Sequence, residues 1–216
     1  MRPKSLLAGA LTALAALVAP ACAGLHSNQA AVQVYTLEPA WPAPASARES
    51  APPSAGGAAG VGPATLQVLR PRAAPGLDTD GIALTRSAQR LDYYAASRWP
   101  APLPEFIQAL AIEALRATGK FRSVQPDGAA FVAEELLQLE IRRCQADYVG
   151  DGPPVVHVQL LATLGRRADR SVLASVSAEG SAPAAENRMQ SVVAAFQSAV
   201  GTALGELAAR LPPDAP

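Results

Sequence analysis

Residues 81–124 read GIALTRSAQRLDYYAASRWPAPLPEFIQALAIEALRATGKFRSV, and the order of patterns within them decides the fold. Two short segments alternate apolar with polar residues, Ile82 and Leu84 in the first and Leu91, Tyr93 and Ala95 in the second. The polar Thr85 to Arg90 joins them, which predicts a hairpin-like pair of strands. After Trp99 come Pro100, Pro102 and Pro104, and the first two hold the preceding residues in extended backbone. Pro104 suits the first turn of a helix, where its missing N–H leaves no bond unmade. Phe106, Ile107, Leu110, Ala114 and Ala117 then recur at helical spacing until Gly119 closes the turn. A strand pair therefore hands over to an amphipathic helix.

Outward from this stretch the same two periods continue. Val32, Val34 and Tyr35 to Leu37 predict a short first strand, and Ala64 to Arg70 a second, followed by a bend at Pro71, Pro75 and Gly76. Between them, residues 38–63 are so rich in Pro, Ala, Ser and Gly that they offer too little apolar surface to offset the entropy of ordering. An exposed flexible loop is expected there, with Trp41 as the side chain able to dock on something. Phe121 and Val124 predict a brief extended piece. Ala129 to Leu137 contains good helix formers, but from Leu137 onward Leu137, Leu139 and Ile141 alternate with Gln138, Glu140 and Arg142. Val156 to Leu164 and Val172 to Ala178 alternate again, giving a hairpin and a third neighbouring strand. Gly180 to Ala185 then leads into a second long helix. Its apolar face runs through Met189, Val192, Val193, Phe196, Val200, Ala203, Leu204, Leu207 and Leu211, with Glu186 and Arg210 placed to suit the dipole. The expected class is α+β: an antiparallel or mixed β-sheet with two long amphipathic helices packed on one face.

Charge excludes one class of function. Eighteen basic and 18 acidic residues cancel, and 17% of the chain is charged, so no basic surface is set aside for nucleic acid. The amino terminus carries an address instead. Arg2 and Lys4 precede the apolar run Leu6–Val18, which is shorter than the ~20 residues a membrane span needs, and small residues precede Cys22. Residues 1–21 read as a signal peptide, 22–34 as a tether, 35–211 as one domain, and 212–216 as a tail. Leu17 to Cys22 is similar to a bacterial lipobox, with the leucine further from the cysteine than usual and a proline two residues before it. Lipidation at Cys22 and plain cleavage after Ala21 both fit these residues. The remaining cysteine, Cys144, reads as a small half-buried strand residue.

Chemistry is sparse. His26 falls in the tether and His157 on the polar side of a strand, neither with metal-ligand company, so no metal and no cofactor are expected. There is no Gly-x-Ser-x-Gly elbow, no Walker A sequence and no Gly-x-Gly-x-x-Gly fingerprint. Glu134 and Glu135 are adjacent and point apart, and Asp78 and Asp80 read as turn residues. Arg142-Arg143 and Arg166-Arg167 could serve an anionic partner or a lipid headgroup, and ordinary turn and strand-end roles account for them equally. No residue is nominated as catalytic. A periplasmic hydrolase would need His157 beside a Ser, an Asp or Cys144.

The Leu91-Asp92-Tyr93-Tyr94 segment, Ser97-Arg98-Trp99, Leu103 and a helix ending in Thr118-Gly119-Lys120-Phe121 together resemble the ABC-type transport auxiliary lipoproteins, the PqiC-like family. Tyr35-Thr36-Leu37 shortly after the signal sequence fits the same pattern. The resemblance runs from about Tyr35 to Leu211 and contains no catalytic signature. It implies a noncatalytic lipoprotein anchored through Cys22. Ala23, rather than Asp, after that cysteine implies the periplasmic face of the outer membrane. The implied partners are an MCE-domain (mammalian cell entry) substrate-binding protein with its ABC permease and ATPase, moving lipid or other hydrophobic substrates. A homo-oligomer is compatible with this, and an outer-membrane assembly lipoprotein is the other envelope role open. Tyr93, Tyr94 and Trp99 are the candidates for partner contact, with core packing as their alternative role.

Overall fold

A computed structural model describes residues 31–38, 40, 62, 64–87 and 90–212. The expected signal peptide, Cys22, His26, Trp41 and most of the 38–63 loop lie outside the described residues. Among the described residues nine strands form one mixed sheet around a single long strand, β7 (Glu135–Asp147). Along one side of β7 runs β8 (Val155–Arg166), antiparallel and paired over its whole length, and β9 (Val172–Pro183) follows β8. Along the other side three short strands sit end to end, all parallel to β7. They are β2 (Thr65–Val68), β3 (Arg72–Ala73) and β4 (Gly81–Ser87). Outside these lie β6 (Ser123–Pro126) beside β2, β5 (Arg90–Arg98) beside β4, and β1 (Gln33–Val34) beside β5.

The mixed sheet and its two helices match the expected class. β4 and β5 are the expected antiparallel pair, and β7, β8 and β9 the expected run of neighbours. The helix-forming residues from Ala129 do not make a helix; they form a loop that leads into β7 at Glu135. Burial in β7 contains a phase change that alternation alone does not predict. Leu137, Leu139 and Ile141 are buried, then Cys144 and Ala146, because Arg142 is an extra residue opposite the Leu160/Gln159 step of β8. Such a bulge restores the inward face after an odd step. The sequence signal for it is Arg142-Arg143, two consecutive exposed residues in an alternating strand.

Helix α1 (Leu103–Thr118) opens with Pro104 in its first turn and ends at Gly119, whose φ of 66° is the left-handed cap that glycine adopts most easily. It packs on α2 (Met189–Arg210), β2, β3 and β6, while α2 covers β8 and β9. Gly180 on β9 permits this approach: a Cβ there would lie 1.9 Å from the Ala199 carbonyl oxygen. Small residues on both sides, Ala178 and Ala182 on β9 and Ala199 and Ala203 on α2, let the helix lie directly on the strand. By length and composition α2 could cross a membrane, yet half of its most apolar window is buried in this fold. Its first turn holds no acidic residue; Glu186 stands before the helix and pairs with Arg188, so the expected dipole contact at that end is absent. At the other end Lys120 Nζ donates to the carbonyls of Ala208, Ala209 and Leu211 at 3.0, 2.6 and 2.8 Å. The Gly119-Lys120 turn therefore caps α2 as well as ending α1.

Candidate functional site

The three aromatic candidates take different positions: Tyr93 and Tyr94 are adjacent on β5 and point to opposite sides, and Trp99 follows the strand. Ile82 alone stands opposite Tyr94, Ala95, Ala96 and Ser97, with Ala96 at φ 50°. The break follows Tyr93, so Leu91 and Tyr93 share one side of β5, both beside Gly76, and Tyr94 takes the other side, half-buried. Trp99 is a core residue, 2% exposed, with its ring 5.5 Å from that of Phe106 and edge-on to Phe196 at 5.2 Å. It joins α1 to α2, and each such aromatic pair adds about 0.5–1.5 kcal/mol beyond burial.

Tyr94 belongs to a network that joins the β4–β5 hairpin to the segment before α2. Tyr148 donates its hydroxyl proton to Asn187 Oδ1 at 2.8 Å, so Tyr94 is the donor in the 3.0 Å contact between the two hydroxyls. Burial, and after it the bond to Tyr148, raises the Tyr94 phenol well above the ordinary tyrosine range. The Arg86 guanidinium lies 4.4 Å above the Tyr148 ring. Tyr93 is 44% exposed and still fixed. Its hydroxyl donates to the Gly76 carbonyl at 2.5 Å, and its ring lies so close to Gly81 that a Cβ there would be 2.7 Å away. An aromatic side chain held rigid at the surface is the kind that contributes most at protein interfaces, because little entropy is left to lose.

Of the residues a hydrolase could use, Cys144 is separated from His157 by the sheet, whereas Asp147 and Ser181 stand on the same face as His157. Cys144 is 2% exposed and paired in register with Val158 on the helix-covered face, and burial pushes its thiol up to about 12. His157 pairs in register with Gln145 on the opposite face. Its Nε2 is 3.9 Å from Asp147 Oδ2, but that carboxylate already accepts from Thr85 Oγ1 at 2.5 Å, Arg143 at 2.6 Å and Gln145 at 2.8 Å. Among the described residues no group of three His, Cys, Asp or Glu side chains could hold a metal ion. Glu134 is exposed and Glu135 buried, so the two carboxylates diverge. Asp78 and Asp80 pair with Arg70 and Arg98, as turn chemistry requires. Arg142 and Arg143 are engaged by Glu140 and Asp147, whereas Arg167 is held only by neutral oxygens, those of Ala133 and the Gln67 side chain.

Cys144 and His157 thus stand on opposite faces of the sheet of this α+β domain, and Tyr93 is an exposed aromatic held in place by Gly76. The chain belongs to the family of ABC-type transport auxiliary lipoprotein components, whose model matches residues 35–208. It is thus of a lipoprotein family associated with ABC-type transport. Among solved structures it is similar to protein XCC0632 from Xanthomonas campestris, of the family DUF330, at 23% identity and a TM-score of 0.66. That match covers 81% of this chain and 92% of the other. An uncharacterized protein shares 12% identity at a TM-score of 0.53, over 67% of this chain and 90% of the other. Lipoprotein GNA1162 from Neisseria meningitidis is more distant, at 14% identity and a TM-score of 0.37 over 61% and 91%. No curated protein matches the chain.

Proposed function

We propose that this protein is a noncatalytic outer-membrane lipoprotein, anchored by a diacylglyceryl group on Cys22. In this reading it serves as the docking subunit of an MCE-type ABC system that moves lipid or another hydrophobic substrate across the envelope. The observation that carries the reading is the family match over residues 35–208. The separation of Cys144 from His157 supports a noncatalytic role, and the rigid exposed Tyr93 supplies a surface on which an MCE-domain protein can close. Trp99 serves that surface from inside by fixing α1 against α2, and Tyr94 by fixing the hairpin that carries Tyr93. Ala23 after the anchor residue supports outer-membrane sorting over retention at the inner membrane.

The test is recovery of the full-length tagged protein from envelope extracts in mild detergent, with co-purifying proteins identified by mass spectrometry. An MCE-domain protein, with or without its permease and ATPase, is expected. Its absence from every extract in which this chain is intact would count against the reading.

A further inference from the structure

At the end of the sheet where β7 begins and β8 ends, two recesses adjoin. One, of about 470 Å³, is walled by Arg166, Arg167 and Arg170 together with Leu69, Leu136 and Val172; no carboxylate among the described residues lines it, although Glu134 and Glu135 line a neighbouring recess that shares Arg166 and Arg167. The other, of about 400 Å³, shares Leu69, Leu136 and Arg167 with the first and continues to Phe131 and Val132; Asp127 also lines it. Phe131 and Val132 are each 81% exposed, and Val172 66%. The loop that carries the first two is nonetheless held, because the buried Gln125 donates to the Phe131 carbonyl at 2.7 Å. We propose that this paired recess binds an anionic phospholipid, the phosphate on the arginines and the start of an acyl chain over Leu69, Leu136, Phe131 and Val132.

Two observations carry the assignment. First, two of the three arginines, Arg167 and Arg170, form no ion pair among the described residues. Arg170 makes no ion pair or hydrogen bond among the described residues, and Arg167 is bound only to neutral oxygens. Asp169 in the same turn already accepts two bonds from Ser171 and pairs with Arg166 at 3.8 Å. Guanidinium groups suit phosphate because their planar fork of donors matches its oxygens. Second, charge and exposed apolar surface are contiguous, as an amphiphile requires and a free anion does not.

The proposal rests on the envelope reading only for where such a lipid is met; it stands or falls separately from recovery of an MCE protein. The experiment is native mass spectrometry of the full-length processed chain in a nonionic detergent. The chain is titrated with phosphatidylglycerol, with phosphatidylcholine and, separately, with inorganic phosphate. A saturable one-to-one phosphatidylglycerol adduct is expected, weakened about tenfold by Arg170→Asn, since a charge-assisted hydrogen bond is lost. Asn tolerates the positive φ of 61° at that position, so the variant keeps its turn. Val132→Asp, on an exposed loop residue, should weaken the same adduct, whereas Arg72→Gln on β3 should leave it unchanged. Equal binding of phosphatidylcholine, binding of inorganic phosphate as tight as that of the lipid, no adduct at all, or full binding by both the Arg170 and Val132 variants would each overturn the assignment.

Discussion

Replacing Gly180 with alanine tests the packing on which the domain depends. The added Cβ would stand 1.9 Å from the Ala199 oxygen, 2.8 Å from the Ala199 carbonyl carbon and 3.1 Å from the Ala203 nitrogen. All three are backbone atoms of α2, so no side chain can swing aside and the helix itself must lift from β9. Lifting it loosens Phe196, Val200 and Leu204, all fully buried, and with Phe196 the contact to Trp99. Overpacking of this kind costs about 1–3 kcal/mol, and a clash with backbone belongs at the upper end. For a domain of this size about 3 kcal/mol lowers Tm by about 6–12 °C. Gly205, in the same helix, meets nothing within 4 Å of an added Cβ. Gly205→Ala should therefore stabilise by about 0.5–1 kcal/mol through helix propensity. Thermal and urea unfolding of both variants, followed by circular dichroism, reads the two signs. A Gly180→Ala protein within 0.5 kcal/mol of the parent would refute the account of how α2 sits on the sheet.

Other consequences follow from single side chains. Lys120→Met removes the donor to three carbonyls at the end of α2 and should cost about 2 kcal/mol in urea unfolding, with the early loss of protection in amide exchange confined to Ala208–Leu211. The Glu134 carboxyl is held below its ordinary range, first by the Thr65 amide, which donates to it at 2.7 Å, with Arg122 adding to the effect. A carboxyl lowered in the folded state contributes stability above its unfolded pKa of about 4.3, and that stability is lost as pH falls through the folded value. Glu134→Gln should thus be less stable than the parent at pH 7, and urea titrations below about pH 4 should show the difference shrinking. Cys144 should resist iodoacetamide at pH 8 in the folded protein and react once urea unfolds it; modification of the native protein would contradict its burial.

Much of this architecture is written locally. Phe106, Ile107 and Leu110 in α1, Phe196 to Leu207 in α2, and the alternation from Leu137 into β8 and β9 each satisfy one backbone period, and each element stands where that period puts it. What is not local was not legible. The parallel placement of β2, β3 and β4 along one side of β7 depends on pairings across tens of residues, and β3 has two residues and no pattern to display. Phase changes were hidden for a related reason. A single extra residue at Arg142, and the longer bulge at Tyr94–Ser97, shift which residues face inward beyond them, whereas Leu91 and Tyr93, which precede the second bulge, keep the shared side that alternation assigns them. The arginine recess draws on the end of β2, the loop before β7, and the β8–β9 turn. The Arg166-Arg167 pair and the strand residues Leu69 and Val172 are visible in the sequence, but their convergence on one recess is not. Trp99 was legible as an aromatic beside prolines, but only the crossing of α1 and α2 places it in the core.

The measurement closest to the central claim is photocrosslinking from the Tyr93 position in the intact cell envelope, with a photoreactive tyrosine analogue there and a control at the exposed Gln138. The account predicts an adduct from position 93 whose peptides include an MCE-domain protein, and none from position 138. Adducts at position 93 that never contain such a protein, although the chain is processed and membrane-bound, would contradict it.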